Sequence, residues 1–306
     1  LDFHIVKSWW EHMNFANIKE AKDFFDTNKE IINAKPFVKW VGWKRQLLSQ
    51  LEKFYPENFN TYFEPFVWWG AVFFDLSNKF WDGFPAHLFD INSEMIIAYN
   101  TIKCDAKWLI EELWNYPYEK EFFLKIRNRD REPDYTKKKD VQRAARFIYL
   151  NRTGFNGLYR VNKNGYYNVP FGTYNNPMNS DENNILSVQQ ALKNTEIRND
   201  DFESIIKYAK KWDFVYLDPP YDPLTNTANF TSYSKEWFWK TDQIRLFETF
   251  KALDKKWCFL MLSNHNTPFI NELYKDFRKE IVLARRAINS NASKRGVVEE
   301  SIILNY

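Results

Sequence analysis

Residues 214–221 read FVYLDPPY, and no other stretch limits the fold of this chain so tightly. Phe214 to Leu217 can bury as a strand, but neither Pro219 nor Pro220 has a backbone N–H to offer a neighbouring strand. The chain must therefore leave the sheet just after Asp218. A carboxylate, two rigid carbonyls and the Tyr221 ring are thereby held at the C-terminal end of a strand, where open α/β sheets bind ligands.

A βαβ rhythm surrounds this stretch and predicts a parallel sheet. AKPFVKWVGWKRQLL (34–48) reads as a short apolar run, a glycine-containing turn and a basic helix start. TYFEPFVWWGAVFFDL (61–76) reads as strand, turn and helix. AHLFDINSEMIIAYNTI (86–102) reads as a strand ending at Asp90, then a helix. The rhythm returns near residue 195 through DFVYLDPPY, WCFLMLSNH and EESIILNY. Between the two halves, KKKDVQRAARFIYLNRTGFNGLYR is a basic helix leading into a loop, and YRVNKNGYYNVPFG is a hairpin with Asn164-Gly165 as a two-residue turn. The expected organisation is a Rossmann-like α/β sheet domain (35–100 and 190–306) carrying an inserted helical and hairpin-bearing segment (101–189). Residues 1–34 form an N-terminal extension with no assigned role.

With 44% hydrophobic and 27% charged residues, the composition is that of a soluble globular protein. A net charge of +3 permits nucleic acid as a partner without arguing for it. The two cysteines, Cys104 and Cys258, and the four histidines give no zinc spacing, so no metal and a reducing cytoplasmic setting are expected. No phosphate-binding loop or nucleophile elbow is present. No apolar run reaches membrane length and no signal peptide is visible.

The Asp218-Pro219-Pro220-Tyr221 group suits methyl transfer to an exocyclic amine. The N6 lone pair of adenine is delocalised into its ring and is a poor nucleophile. A carboxylate and a backbone carbonyl accepting its two N–H bonds favour a pyramidal nitrogen aimed at a methyl donor. Tyr221 can stack on the base once it leaves the duplex. The plainer alternative is an ordinary strand exit with a chance Pro-Pro.

In order along the chain, PFVKWVGWKRQLL, YFEPFV, GAVFFDL, FDINSEMIIAYN, RAARFIYLNRTGFNGLYRVN, YNVPFG, FVYLDPPYDPLT, ANFTSYS, LSNH and SKRG resemble the motifs of Dam-type DNA adenine-N6 methyltransferases, including those that accompany GATC-specific restriction enzymes. The resemblance runs from about Lys35 to Tyr306. It implies a Rossmann-like methyltransferase sheet with an inserted target-recognition domain, S-adenosylmethionine (AdoMet) as methyl donor, double-stranded DNA as substrate and GATC as the target. It also leaves room for a cognate restriction endonuclease; a monomer is expected. By the same resemblance Trp40, Lys44, Phe66, Gly70, Asp90, Asp201, Phe202 and Asp218 hold AdoMet, with Asp90 on the ribose hydroxyls. Asp218, Pro219 and Tyr221 are catalytic. Lys39, Asn156, Leu158, Arg160 and Pro170 meet the DNA, Arg160 by a bidentate contact to guanine O6 and N7. For Arg143, Arg146 and Arg152 a solvated basic face or phosphate contact is expected. Thr173 stands where relatives often carry a basic residue.

Two counts are odd. The chain has 8 Gly, where usage of about 7% predicts roughly 20, and 13 Trp. They share positions. Trp43, Trp68, Trp69, Trp212, Trp237, Trp239 and Trp257 stand at turns that favour glycine, and at Trp43, Trp68 and Trp69 the resembling family has glycine itself. UGA codons meant as glycine but translated as tryptophan would explain both counts. If the tryptophans are genuine, the expected product is a catalytically impaired DNA-binding remnant. An N-methyltransferase of RNA or protein is a third reading, opposed by the FNGLYR and NVPFG pair.

Overall fold

The computed structural model describes residues 33–39, 44–80, 83–175, 181–224, 238–285 and 297–306. Among these residues seven strands form one mixed sheet in the order β3-β2-β1-β4-β5-β7-β6. They are β1 (Tyr62–Glu64), β2 (Ala86–Asp90), β3 (Thr195–Asn199), β4 (Phe214–Leu217), β5 (Phe259–His265), β6 (Arg278–Arg285) and β7 (Val297–Leu304). The first five are parallel, while β7 runs antiparallel to both β5 and β6. Three strands lie to one side of the β1/β4 boundary and four to the other, so the chain reverses direction across the sheet there. Such a switch point opens a crevice at the strands' C-terminal ends.

Strand alternation builds two cores. Tyr62, Phe214, Tyr216, Met261, Ile302 and Leu304 belong to one; Phe63, Val215, Leu217, Leu260, Leu262 and Ile303 belong to the other. Successive side chains point to opposite faces, so each of these buried runs feeds both. The first core is completed by α1 (Lys44–Leu51), α2 (Ala71–Lys79) and α3 (Ser93–Trp114). The second is completed by α7 (Lys240–Asp254), α8 (Pro268–Leu273) and the 3₁₀ turn Phe202–Lys207.

Helices α4 (Lys120–Asn128), α5 (Asp140–Thr153) and α6 (Glu182–Ala191) join the first core. Helix α3 runs through residue 101 and leaves helical dihedrals at Asp105. The hairpin differs from expectation. Asn162 N–H donates to the Tyr166 carbonyl and Gly165 N–H to the Asn162 carbonyl, with only Gly165 of the tip left-handed (φ 82°). A two-residue Asn-Gly turn needs both residues at positive φ. Here the loop is three residues, Lys163 to Gly165, with glycine supplying the left-handed step. No helix among the described residues is long and apolar enough to cross a membrane, and Cys104 and Cys258 are free thiols.

Candidate active site

Three strand ends converge at the switch point. β2 ends in Asp90 and β4 runs into Asp218, and each aspartate is 6% exposed. One Asp90 carboxylate oxygen accepts from Asn92 N–H at 2.9 Å and the other from Trp68 N–H at 3.2 Å. Asn92 in turn caps α3, accepting from the Glu94 and Met95 N–H groups. Phe66 follows β1 and Phe202 follows β3, the strands on either side of β2. Their rings stack 5.3 Å apart across its end, with Phe238 edge-on to Phe66 at 5.8 Å. An apolar wall beside a buried carboxylate fits the base and ribose of an adenosyl group. Asp201 begins the 3₁₀ turn, accepting from Glu203 N–H at 3.0 Å, and pairs with Arg245 at 3.1 Å.

Gly70 is left-handed (φ 65°), and a Cβ there would lie 2.9 Å from the Tyr99 hydroxyl and 3.3 Å from the Phe74 ring. Only glycine fits this entry into α2. Two residues earlier the same turn carries Trp68 at φ 46°. Its indole N–H donates to the Asp218 carbonyl at 2.8 Å, so the ring lies over the β4 exit. The fit to AdoMet holds at Asp90, Phe66, Phe202 and Gly70 and fails at Trp68.

Among the described residues four non-glycines have a left-handed φ: Asn156, Trp68, Trp212 and Trp257. Three of the four are tryptophans from the glycine-like set, at 46°, 69° and 65°. This conformation costs an L-residue about 1–2 kcal/mol, and a bulky aromatic is a genuine outlier there. Trp212 and Trp257 lie in neighbouring turns that lead into β4 and β5, Trp212 N–H donating to the Trp257 carbonyl at 3.0 Å, and they are 47% and 66% exposed. Trp239 has φ −84° and precedes the first turn of α7, a position that accepts glycine without requiring it. Trp40, Trp43, Trp237 and the Lys44 side chain lie outside the described residues, as does the extension over 1–32.

Beyond β4 the loop is held by buried polar groups. Gln243 Nε2 donates to the Pro220 carbonyl at 2.8 Å, and Asn264 Nδ2 to Gln243 Oε1 at 3.1 Å. Asn264 Oδ1 accepts from Asp222 N–H at 2.9 Å. Asn264 is fully buried and Gln243 is 1% exposed. The Tyr221 hydroxyl donates to Glu300 at 2.8 Å, and its ring meets His265 edge-on at 4.9 Å. The sequence gives no role to Phe238, Gln243, Asn264, His265 or Glu300, although the LSNH motif (262–265) holds Asn264 and His265, and Glu299-Glu300 interrupts the apolar run of β7.

The inserted segment presents Asn156, Arg160 and Pro170 at the surface and Leu158 partly covered. Asn156 is left-handed at φ 55°. Arg160 Nε donates to Asn168 Oδ1 at 2.7 Å across the hairpin, and the Pro170 carbonyl accepts from Phe155 N–H at 2.9 Å. Lys39 is tied to this loop. A Cβ on Gly157 would come within 2.5 Å of the Lys39 Cβ, and Asn151 bridges the Lys39 and Gly157 carbonyls at 2.8 Å each. The Lys39 amine donates to the Arg152 carbonyl at 3.1 Å and sits over the Tyr174 ring. Burial, then the nearby Arg152, lowers its pKa.

The arginines of α5 are not the basic face expected of them. Arg146 is 3% exposed, paired with Asp130 at 2.8 Å and donating to the Ile126 and Arg127 carbonyls. Arg143 pairs with Glu94, and Arg152 donates to the Phe37 carbonyl at 3.0 Å. Acidic partners and carbonyls drawn from distant parts of the chain convert apparent phosphate contacts into internal ties.

A cavity of about 480 Å³ lies between the 33–39 segment and α2, touching Lys39, Trp69, Phe74 and Arg152. It contains none of Asp90, Asp218 or Tyr221 and is not the site that the strand ends build. Among the described residues no group of three or more His, Cys, Asp or Glu could hold a metal ion.

The family profile described as D12 class N6 adenine-specific DNA methyltransferase matches residues 40–288. A type II methyltransferase of Lactococcus lactis subsp. cremoris, M1.LlaDCHI, is 45% identical over 282 residues, covering 91% of this chain and 98% of the relative. The type II methyltransferase M.MjaIII of Methanocaldococcus jannaschii is 43% identical over 295 residues, covering 90% of this chain and all of the relative. A DNA adenine methylase of Vibrio cholerae is 34% identical over 276 residues, covering 88% and 95%.

Proposed function

Because the chain belongs to the D12 class of N6 adenine-specific DNA methyltransferases, we propose that it methylates the adenine of GATC after flipping that base out of double-stranded DNA. The carrying observation is the buried Asp218 at the β4 exit, beside the switch point and followed by Pro219, Pro220 and Tyr221. The Asp218 carboxylate and the Pro219 carbonyl accept the two N6 hydrogens, drawing the lone pair out of the adenine ring. The Pro220 carbonyl is already used by Gln243, which holds the loop in place for this. Tyr221 stacks on the flipped base.

AdoMet, when bound, supplies the methyl group. Asp90 receives its ribose hydroxyls, Phe66 and Phe202 its base, and Trp40, Lys44, Gly70 and Asp201 complete the pocket. Arg160 reads a guanine, with Lys39, Asn156, Leu158 and Pro170 around the target. Two of the relatives are type II methyltransferases, which favours a restriction–modification setting with a cognate endonuclease; the enzyme acts as a monomer. In a glycine-bearing chain, Asp218→Ala should lower methyl transfer about 10²-fold or more while leaving DNA binding largely intact. Retention of a tenth of kcat would remove Asp218 from the mechanism. A duplex panel varied at each base of GATC tests the target, and equal methylation across the panel would refute it.

A second reading concerns the chain as written. With its indole on the Asp218 carbonyl, Trp68 leaves a DNA-binding protein with an impaired methyl-donor site. The left-handed φ at Trp68, Trp212 and Trp257 favours the other explanation, that these positions and Trp43, Trp69, Trp237 and Trp239 are glycine where the protein is made natively. Mass spectrometry of native peptides spanning residues 67–70 and 211–213 decides between them. Tryptophan masses there end the recoding explanation.

A further inference from the structure

Glu300 is 7% exposed, on a strand whose next residues, Ser301 to Leu304, are fully buried. A carboxylate so placed is costly unless donors meet it, and one donor it meets is the Tyr221 hydroxyl at 2.8 Å. Strand register arranges the encounter. In the antiparallel β5/β7 pair Glu300 stands directly opposite His265, and the loop leaving β4 delivers Tyr221 to both. The His265 ring crosses the Tyr221 ring at 80° with centroids 4.9 Å apart. His265 is itself oriented, its Nδ1 lying 2.7 Å from the Asp222 carbonyl. A carbonyl can only accept, so Nδ1 carries the proton.

The two contacts do different things. A hydrogen bond at the hydroxyl fixes the long axis of a tyrosine but leaves the ring free to rotate about it. An edge contact from the side restrains that rotation. We propose that Glu300 is a positioning residue which, with His265, holds the Tyr221 ring ready as the stacking face for the flipped adenine. This rests on the stacking role of Tyr221 proposed above. A preset ring spares the ordering cost that a free side chain would incur when the base arrives.

The test uses the full chain with W43G/W68G/W69G, a duplex carrying 2-aminopurine at the target position to report the flipped base, and an unmodified duplex for kinetics. E300A and Y221F should each lower kcat/KM for DNA about tenfold, the scale of one net hydrogen bond. E300Q, which keeps an acceptor, should recover most of the loss. The Y221F/E300A double variant should be no worse than either single one, because both remove the same contact. AdoMet affinity should stay the same throughout, while E300A alters the 2-aminopurine signal. Losses that multiply in the double variant, or AdoMet affinity falling in step with activity, would overturn the proposal. If Y221A loses nothing, the stacking role itself fails; if Y221A is severe and E300A silent, only the role of Glu300 fails. Should the glycine-bearing chain be inactive, thermal unfolding of the chain as written still decides whether the pair is coupled. E300A must then shift Tm less in a Y221F background than alone, and equal shifts overturn the pairing.

Discussion

Replacing Trp68 by glycine should restore the methyl-donor site, and the structure gives the size of the effect. In the chain as written the Trp68 indole is bonded to the Asp218 carbonyl at 2.8 Å and partly buried against the core. Bringing AdoMet under this turn means breaking that bond, a net loss of about 0.5–1.5 kcal/mol. It also means returning a partly buried apolar ring to water, at somewhat less than the about 1.5–3 kcal/mol of a fully buried side chain. Together these weaken AdoMet binding by about 2–4 kcal/mol, roughly 30- to 1,000-fold, centred near 100-fold. The turn also carries the left-handed strain of Trp68 at φ 46°, which glycine removes. Isothermal titration of AdoMet into the chain as written and into W43G/W68G/W69G measures the difference directly. DNA binding should persist in both forms, since the loop from Gly154 to Gly172 contains no tryptophan. Micromolar AdoMet binding by the unmodified chain would refute the reasoning.

Trp212→Gly and Trp257→Gly should each raise stability by about 1 kcal/mol through relief of left-handed strain, seen as a higher Tm; unchanged or lowered Tm values would show that the exposed rings are tolerated there. Arg160→Ala should weaken binding by roughly 1–3 kcal/mol and relax discrimination at one guanine, measured on a panel of duplexes. An equal loss on every duplex would make Arg160 a phosphate clamp. Arg146→Ala should destabilise the fold by about 1–3 kcal/mol in urea unfolding, because it removes buried hydrogen bonds to the Ile126 and Arg127 carbonyls and takes one partner from Asp130, which keeps Arg131 and the Tyr167 N–H. A near-neutral Tm with a reduced salt dependence of DNA binding would return Arg146 to the phosphate-contact class.

The central strands were legible because they are apolar runs closed by a punctuating residue: β1 by Pro65, β2 by Asp90 and β4 by the Pro-Pro pair. The two strands that escaped reading are the sheet edges. β3 is TEIRN and β6 is RKEIVLAR, and an edge that blunts itself with charge gives up the pattern by which strands are recognised. Asp90 and Asp218 could be placed from sequence because one ends its strand and the other directly follows it. The tie between Tyr221 and Glu300 spans 79 residues and depends on β7 entering the sheet beside β5, a topology no local pattern announces. The arginines of α5 misled for the same reason. A basic helix looks the same in sequence whether its partners are phosphates or Glu94 and Asp130 in its own fold. Glycine-like positions could be suspected from composition, but separating Trp68, Trp212 and Trp257 from Trp239 required backbone dihedrals.

The decisive measurement is methyl transfer itself. W43G/W68G/W69G is incubated with AdoMet labelled in its methyl group and a GATC duplex, and the DNA is digested to nucleosides for mass analysis. Label should appear in N6-methyladenine, be absent from a duplex lacking the site and be lost with Asp218→Ala. A folded chain that binds both AdoMet and the duplex yet leaves the adenine unlabelled, or that labels cytosine instead, would contradict it.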